Sequence, residues 1–493
     1  MPGIRTSTPA MPSYDGKALL DLGVERGRMT SDSRTLKPGD TFVAYPGEHQ
    51  DGRAFIPQAI AAGAAAVLWD SEGFAWDNNW QIPNLGILGL RSQAGIIAGE
   101  ILGWPSSHMW MVGITGTNGK TSCSHWLAQA FTAVGKKTAI VGTLGNGFYG
   151  DLAPSANTTP DSIELEYLLK DYLDQKAECV AMEVSSHGLD QGRVNGIAFD
   201  VAVLTNLSRD HLDYHGDMDS YAAAKAGLFD WPTLKHAILN VDDEFGRAMA
   251  VRTKTDGFNA IGYGFDGGEV RGSNLIVGVG GMAFDIHTPW GSDHFKSGMV
   301  GRFNASNLLA TLSVLLVSGI EFNIAMQVLR TLNPVPGRME QVREPGRALV
   351  VVDYAHTPDA LEKVLDTLRE MTVHKKSRLI CVFGCGGGRD KGKRPIMGKI
   401  ASQLADQVVV TSDNPRNEQP RDIIDDIVSG MGANYHIIED RAAAIDYAIN
   451  HAQPDDVVLI AGKGHEPYQE IDGVRFPFSD GEVACRVMKG VRS

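Results

Sequence analysis

The chain has 493 residues, 43% hydrophobic and 21% charged, with a net charge of −14. That composition is ordinary for a soluble globular protein and leaves room for roughly two to four domains, each with a core of its own. No basic stripe runs along it, which argues against a nucleic-acid partner, and an acidic chain that binds anions must do so through local cations, loop amides or a metal ion.

Residues 1–107 carry two strand-like runs, "GDTFVAYPG" and "GAAAVLWD", around a helical "FIPQAIAAG", and are expected to form a small N-terminal α/β domain. "GWPSSHMW" (103–110), with a proline and two serines, reads as a linker. From 108 to 335 strand and helix patterns alternate: "MWMVGIT", then "KTSCSHWLAQAFTAVG"; "KTAIVGTLG", then "SIELEYLLKDYL"; then the apolar runs "CVAMEVSS" and "VAVLTNLS". Such alternation predicts a mostly parallel sheet covered by helices on both faces. The glycine-rich stretch 263–298 alternates polar with apolar residues and is expected to add an antiparallel edge, and "NPVPGRME" (333–340) marks a second boundary. Residues 336–493 alternate again through "RLICVFGCGGG", "QVVVTSDNP", "YHIIED" and "DDVVLIAGKG" with helices between, a Rossmann-like pattern. No G-x-G-x-x-G follows its first strand, so a dinucleotide is not expected there. The fold class is therefore α/β in three domains, the central one like a P-loop ATPase.

The five cysteines are Cys123, Cys179, Cys381, Cys385 and Cys485, a sparse odd set that points to reduced thiols. Cys381 and Cys385 lie close in sequence, but no second Cys/His pair follows at zinc spacing. The first thirty residues lack a signal-peptide apolar region and no long apolar run occurs, so neither secretion nor membrane insertion is expected and the cytoplasm is the default.

"GITGTNGKTS" (113–122) joins a predicted strand to a predicted helix. A glycine-rich turn in that position directs backbone amides and the helix N-terminus at phosphates. Gly116, Thr117, Asn118, Gly119, Lys120, Thr121 and Ser122 are the expected ATP loop, with Lys120 on the β/γ-phosphates and Thr121 toward Mg²⁺. The spacing departs from the usual loop: Gly113 stands one position early. Glu183 ends "CVAME", where a Mg²⁺ ligand or an ordinary strand-end acid belongs. Asp210, His211, Asp213 and His215 crowd "SRDHLDYHG", either a metal or phosphate site or a solvated loop. Lys225, in "SYAAAKAGLFD", reads on its own as a surface lysine.

Together "GTNGKT", "NTTP" (157–160), "EVSSHGLDQGRV" (183–194), "DHLDYHG", "GRFNASN" (301–307), "PGRME" (336–340), "DYAHTPD" (353–359) and "GKGHE" (462–466) resemble the Mur ligase family of ATP-dependent amide-bond ligases, in family order along nearly the whole chain. The resemblance implies transfer of phosphate from ATP to a carboxylate of a UDP-N-acetylmuramoyl dipeptide, then attack by an amino-acid amine, in a monomer. It implies Lys120, Lys225, His211 and Glu183 as catalytic residues. Thr121, Glu183 and His211 would be Mg²⁺ ligands, together with Lys225 as a carbamate formed from CO₂. It further implies Asn304, Arg338, Asp353 and His356 as nucleotide contacts. Ser31, Ser33, His49, Gln50, Asn157, Thr158, Thr159, Ser185, Gln191 and Arg193 would hold the UDP substrate.

Three C-terminal loops, "GCGGGRDKGKRP", "SDNPR" and "AGKGHE", each follow a predicted parallel strand and so share one sheet edge, where ligands bind. Arg389, Asp413, Asn414, Arg416, Gly462 and Glu466 can converge there with both charge signs, as a zwitterionic amino acid requires. Pro415 stiffens the turn that presents Arg416, although a capping turn before a helix at Arg421 also accounts for Asp413 and Pro415. Asp413-Asn414-Pro415-Arg416 resembles the signature of members that add meso-diaminopimelate, and lysine-adding members usually lack this Arg. The other readings are L-lysine addition, a folylpolyglutamate-synthetase-like ligase, and a non-catalytic P-loop regulator.

Overall fold

The computed structural model describes residues 14–48, 50–255, 259–278, 281–372, 377–432 and 434–490. Three main sheets follow one another along the chain. The first has four parallel strands in sequence order, Met29–Thr30, Thr41–Ala44, Ala66–Asp70 and Asn84–Ile87, backed by the helix Leu90–Ile101.

The second sheet is centred on Trp110–Thr115, flanked by Val201–Leu204 on one side and Cys179–Glu183 on the other, all parallel. These strands are buried along their length because helices cover both faces, which is why their sequences are continuous apolar runs rather than alternating ones. The helix Arg302–Val317 lies against the helix Lys120–Ala133 within one of the two cores and is buried along nearly all its length after the first turn. Its buried Thr311 and Ser313 hydroxyls return to the carbonyls of Asn307 and Leu309 at 2.9 and 2.8 Å. Val270–Gly278, Gly281–Thr288 and Gly291–Ser297 form the expected antiparallel edge.

The third sheet runs Glu340–Val342, Leu349–Asp353, Val457–Ala461, Leu379–Phe383, Gln407–Val410, Tyr435–Ile437, parallel except for the first. Cys381 and Cys385 are buried in its core, and burial pushes both thiols up to about 12, as apolar packing residues rather than metal ligands.

Residues 103–110 are not a free linker. Pro105–His108 forms a short 3-10 turn with Pro105 and Ser106 buried, and Ser106 Oγ accepts a hydrogen bond from the Ala198 amide at 3.0 Å. A second element is absent from the sequence reading: a two-stranded hairpin, Tyr468–Ile471 with Val474–Pro477, turning at Asp472-Gly473 with φ of 49° and 76°.

Candidate active site

The phosphate loop leaves Trp110–Thr115 and enters the helix Lys120–Ala133. Its glycines are required by contact as well as by conformation. Gly116 has φ 141°, and a Cβ there would lie 1.9 Å from Thr205 Oγ1; Gly119 has φ 90°, and a Cβ would lie 2.6 Å from Asn307 Oδ1. Asn206, just beyond the neighbouring strand, staples the loop. Its backbone O and side-chain Oδ1 accept from the amides of Thr117 and Asn118 at 2.9 and 3.0 Å. Those two amides are therefore engaged within the protein. The helix start carries no side-chain cap, which leaves its first-turn amides for an anion.

Two ammonium groups meet at one carbonyl. Lys120 Nζ donates to Gly116 O at 2.7 Å and Lys225 Nζ donates to the same oxygen at 2.9 Å. Lys225 is 1% exposed, not the surface residue its local sequence implies. Burial first, and the neighbouring Lys120 second, push it well below the ordinary lysine range. Its ammonium also lies 4.6 Å from the centre of the Tyr221 ring, and Tyr221 Oη is 3.1 Å from Thr117 Oγ1.

On the other side of the loop, Glu183 is fully buried at its strand end. Its carboxylate accepts from Thr121 Oγ1 and Thr143 Oγ1, each at 3.0 Å, and from the Thr143 amide at 2.9 Å. Thr121 Oγ1 also accepts from Arg338 Nη2 at 3.0 Å. A carboxylate and a hydroxyl side by side beneath the helix start are a donor set that suits Mg²⁺. His211, with φ 53°, has its Nε2 3.3 Å from Asp210 Oδ2 and its ring 4.8 Å from that of His187. Desolvation lowers it to about 4. Among the described residues no three His, Cys, Asp or Glu side chains gather as a metal-ligand set.

Arg338 links the third sheet to the loop: besides Thr121 it stacks over Tyr354 at 4.6 Å. Asp353 holds the neighbouring backbone by accepting from the amides of Met339 and Ala355 at 2.7 and 2.8 Å, and its own burial raises it. His356 Nδ1 lies 2.8 Å from Tyr354 O, and burial lowers this imidazole to about 4. Asn304 is buried and donates to Val300 O at 2.8 Å within its own helix start. Asp359, not singled out by the sequence, crosses between the domains to accept from Asn118 Nδ2 and Ser208 Oγ, each at 3.0 Å.

The three C-terminal loops do converge. A Cβ on Gly387 would lie 1.9 Å from Pro415 O, and one on Gly462 2.6 Å from Asp413 Oδ2, so glycine permits the loops to touch. The Gly387 amide donates to Asn414 O and Arg416 Nη1 donates to Gly387 O, both at 2.9 Å. Arg416 has φ 52°, and its backbone is held by the hairpin: its amide donates to Glu470 O at 3.0 Å and its O accepts from the Asp472 amide at 2.8 Å. Arg416 keeps 26% of its side chain exposed, and Arg389 beside Gly386 is exposed. Asp413 does not cap a helix. The next helix starts at Pro420 with Gln419 as its N-cap, while Asp413 accepts from the Asn414 amide at 2.6 Å.

The family models for the Mur ligase middle domain, the Mur ligase glutamate ligase domain and the Mur ligase catalytic domain match residues 114–315, 337–464 and 28–90. A UDP-N-acetylmuramoyl-L-alanyl-D-glutamate–2,6-diaminopimelate ligase of Chromobacterium violaceum is 52% identical over 98% of both chains. The chain belongs to the Mur ligase family. A solved structure of a UDP-N-acetylmuramoyl-L-alanyl-D-glutamate–2,6-diaminopimelate ligase is 37% identical over 94% of both chains, with a TM-score of 0.68. The MurF ligase from Thermotoga maritima in complex with ADP, 19% identical with a TM-score of 0.66, shares the fold.

Between the first two sheets this Mur ligase has a cavity of about 290 Å³. Asn157, Gln191 and Arg193 line it, joined by Tyr45, Glu48, Arg91 and Asp161, which the sequence did not single out. Arg193 donates to Thr159 O at 2.9 Å and to Gln191 Oε1 at 2.8 Å, and Gln191 donates to Glu48. Ser31 bonds Tyr45. Thr158 pairs with Thr143 at 3.0 Å, while Thr159 and Ser185 bond each other at 3.0 Å and Ser185 caps a short helix. Ser33 donates to Gln58 and Gln50 is exposed, its O accepting from the Gly47 amide. Neither Ser33 nor Gln50 lines the cavity. His49 lies outside the described residues.

Proposed function

We propose that this ATP-dependent ligase adds meso-2,6-diaminopimelate to UDP-N-acetylmuramoyl-L-alanyl-D-glutamate in peptidoglycan precursor synthesis, as its relatives' names state of them. One observation carries the choice of amine: Arg416 is held on both its backbone sides by the hairpin and by its guanidinium against Gly387, at the loop edge it shares with Asp413, Asn414 and Glu466. A rigidly presented guanidinium rewards a substrate with a second carboxylate. With L-lysine it would lack that partner, an asymmetry that discriminates more strongly than a missing methylene.

The chemistry follows in two steps. A carboxylate oxygen of the D-glutamate attacks the γ-phosphorus of ATP, giving an acyl phosphate and ADP. The uncharged amine of diaminopimelate then adds to the acyl carbon, and the tetrahedral intermediate expels phosphate and loses a proton. The first-turn amides of Lys120–Ala133 and the Lys120 ammonium hold the phosphates, and Arg338 and Asp353 hold the nucleotide where the domains meet. Thr121 and Glu183 would hold one Mg²⁺, and His211 with Lys225 a second. When bound, Mg²⁺ would neutralise the phosphate charge that otherwise repels the attacking carboxylate. Lys225 suits carbamate formation because its burial favours the neutral amine that CO₂ requires. The reading places the protein in the cytoplasm as a monomer; no helix among the described residues is long and apolar enough to cross a membrane.

The test is phosphate release from ATP in the presence of the UDP-muramoyl dipeptide and each amine in turn. Release that depends on meso-diaminopimelate supports the reading. Release that needs no amine favours the regulator, and equal release with L-lysine removes the role given to Arg416.

A further inference from the structure

We infer that Lys463, at the carboxyl end of Val457–Ala461, is a positioning residue for the amine substrate, acting through Asn414 and Glu466; this rests on the diaminopimelate reading above. Its side chain is wholly buried, and Nζ donates to Asn414 Oδ1 at 2.9 Å and to Glu466 Oε2 at 3.0 Å. Asn414 Nδ2 closes the ring by donating to the same Glu466 oxygen at 2.8 Å. Three side chains from two loops are thus locked in one cycle.

The cycle decides two things about what the loops present. Asn414 Oδ1 receives a second donor, the Glu470 amide at 3.0 Å, so the amide has one orientation: inverted, its NH₂ would face an ammonium and an N–H. Glu466 Oε2 takes both bonds, which leaves Oε1 as the oxygen offered to a ligand ammonium. The lysine charge also offsets the carboxylate, so that a zwitterion with two ammonium and two carboxylate groups meets a site already balanced.

Lys463 does not itself serve as a contact. Its bonds run into the protein, and Tyr468 lies 5.7 Å from its ammonium. The sequence around it explains how a lysine comes to be buried. Gly462 and Gly464 have φ of 117° and 54°, and a Cβ on either would lie 2.6 Å from Asp413 Oδ2 or 2.8 Å from Gly337 O. Glycine on both sides of Lys463 lets the backbone turn inward here. An exposed loop lysine would need neither glycine.

Steady-state kinetics of the full chain with ATP, the UDP-muramoyl dipeptide and meso-diaminopimelate test this. In Lys463→Met, KM for diaminopimelate rises about 30-fold, while KM for ATP and for the dipeptide stays within about twofold. Lys463→Gln keeps a donor for Asn414 without the charge and falls between the two; it carries the same comparison if the Met variant does not fold. Preference for diaminopimelate over L-lysine drops in parallel. An amine KM at the wild-type value in either variant, or equal weakening of all three substrates, overturns the inference. Wild-type enzyme without diaminopimelate-dependent phosphate release refutes the underlying reading instead, which separates the two failures.

Discussion

Lys120 and Lys225 donate to the same oxygen, Gly116 O, at 2.7 and 2.9 Å. Two like charges converging on one buried carbonyl are unfavourable as two cations. Burial and the neighbouring Lys120 both push Lys225 toward its neutral form, and the neutral amine is the form that CO₂ can modify. Lys225→Met is expected to lower turnover by about 10²- to 10³-fold, the range for losing one preorganised electrostatic group. Its melting temperature should be unchanged or higher. Wild-type rates measured with CO₂ stripped and then restored as bicarbonate should fall and recover, and the variant should respond to neither.

The sign of the lysine linkage is opposite to that of a salt-bridged lysine. Its folded pKa is depressed, so between that value and the ordinary lysine value of 10.5 the unfolded chain binds more protons at this site, and stability rises with pH across that window. Buried His125 and His356 act in the same sense at lower pH, each lowered from 6.5 to about 4 by burial. Their contribution is present above 6.5 and is lost as pH falls toward 4. Thermal melting across pH 7 to 4 should show a steep fall that His356→Phe makes shallower, by about 3 kcal/mol at most.

A buried ion pair holds two of the C-terminal loops in place. Arg441 and Asp480 are both fully buried and bidentate, at 2.7 Å for each bond, and Arg441 also donates to Ser412 O and Ala461 O, the roots of the loops carrying Asn414 and Lys463. Arg441→Met leaves Asp480 uncompensated and should cost about 3–5 kcal/mol. Arg441→Met with Asp480→Leu should recover much of that in a denaturant titration while leaving a weakened amine site.

The phosphate loop and two of the three C-terminal loops were legible because glycine follows an apolar run in each, and the reason is now visible in atoms that a Cβ would strike; the third, which has no glycine, was legible from Asp413-Asn414-Pro415-Arg416 after its apolar run. The burial of Lys225 was not legible: "SYAAAKAGLFD" has no period that marks a buried face, and its ammonium meets a loop more than a hundred residues earlier in the chain. The hairpin after Glu466 carried a readable Asp-Gly turn signal that went unused. Ser106 shows why 103–110 was misread, since a serine buried to accept one amide looks the same in sequence as one in a free linker. Asn206 and Asp359 take their places through partners far along the chain, and Lys463 through distant Asn414 as well as its near neighbour Glu466.

The central claim is that Arg416 selects the amine. Wild type and Arg416→Lys are each given ATP, the UDP-muramoyl dipeptide and equal concentrations of meso-diaminopimelate and L-lysine, and the nucleotide products are weighed by mass spectrometry. The expected result is a diaminopimelate adduct alone from the wild type, and from Arg416→Lys a loss of that adduct of about 10²-fold with ATP affinity retained. A variant that still makes the diaminopimelate adduct at the wild-type rate and with the wild-type preference would contradict the account.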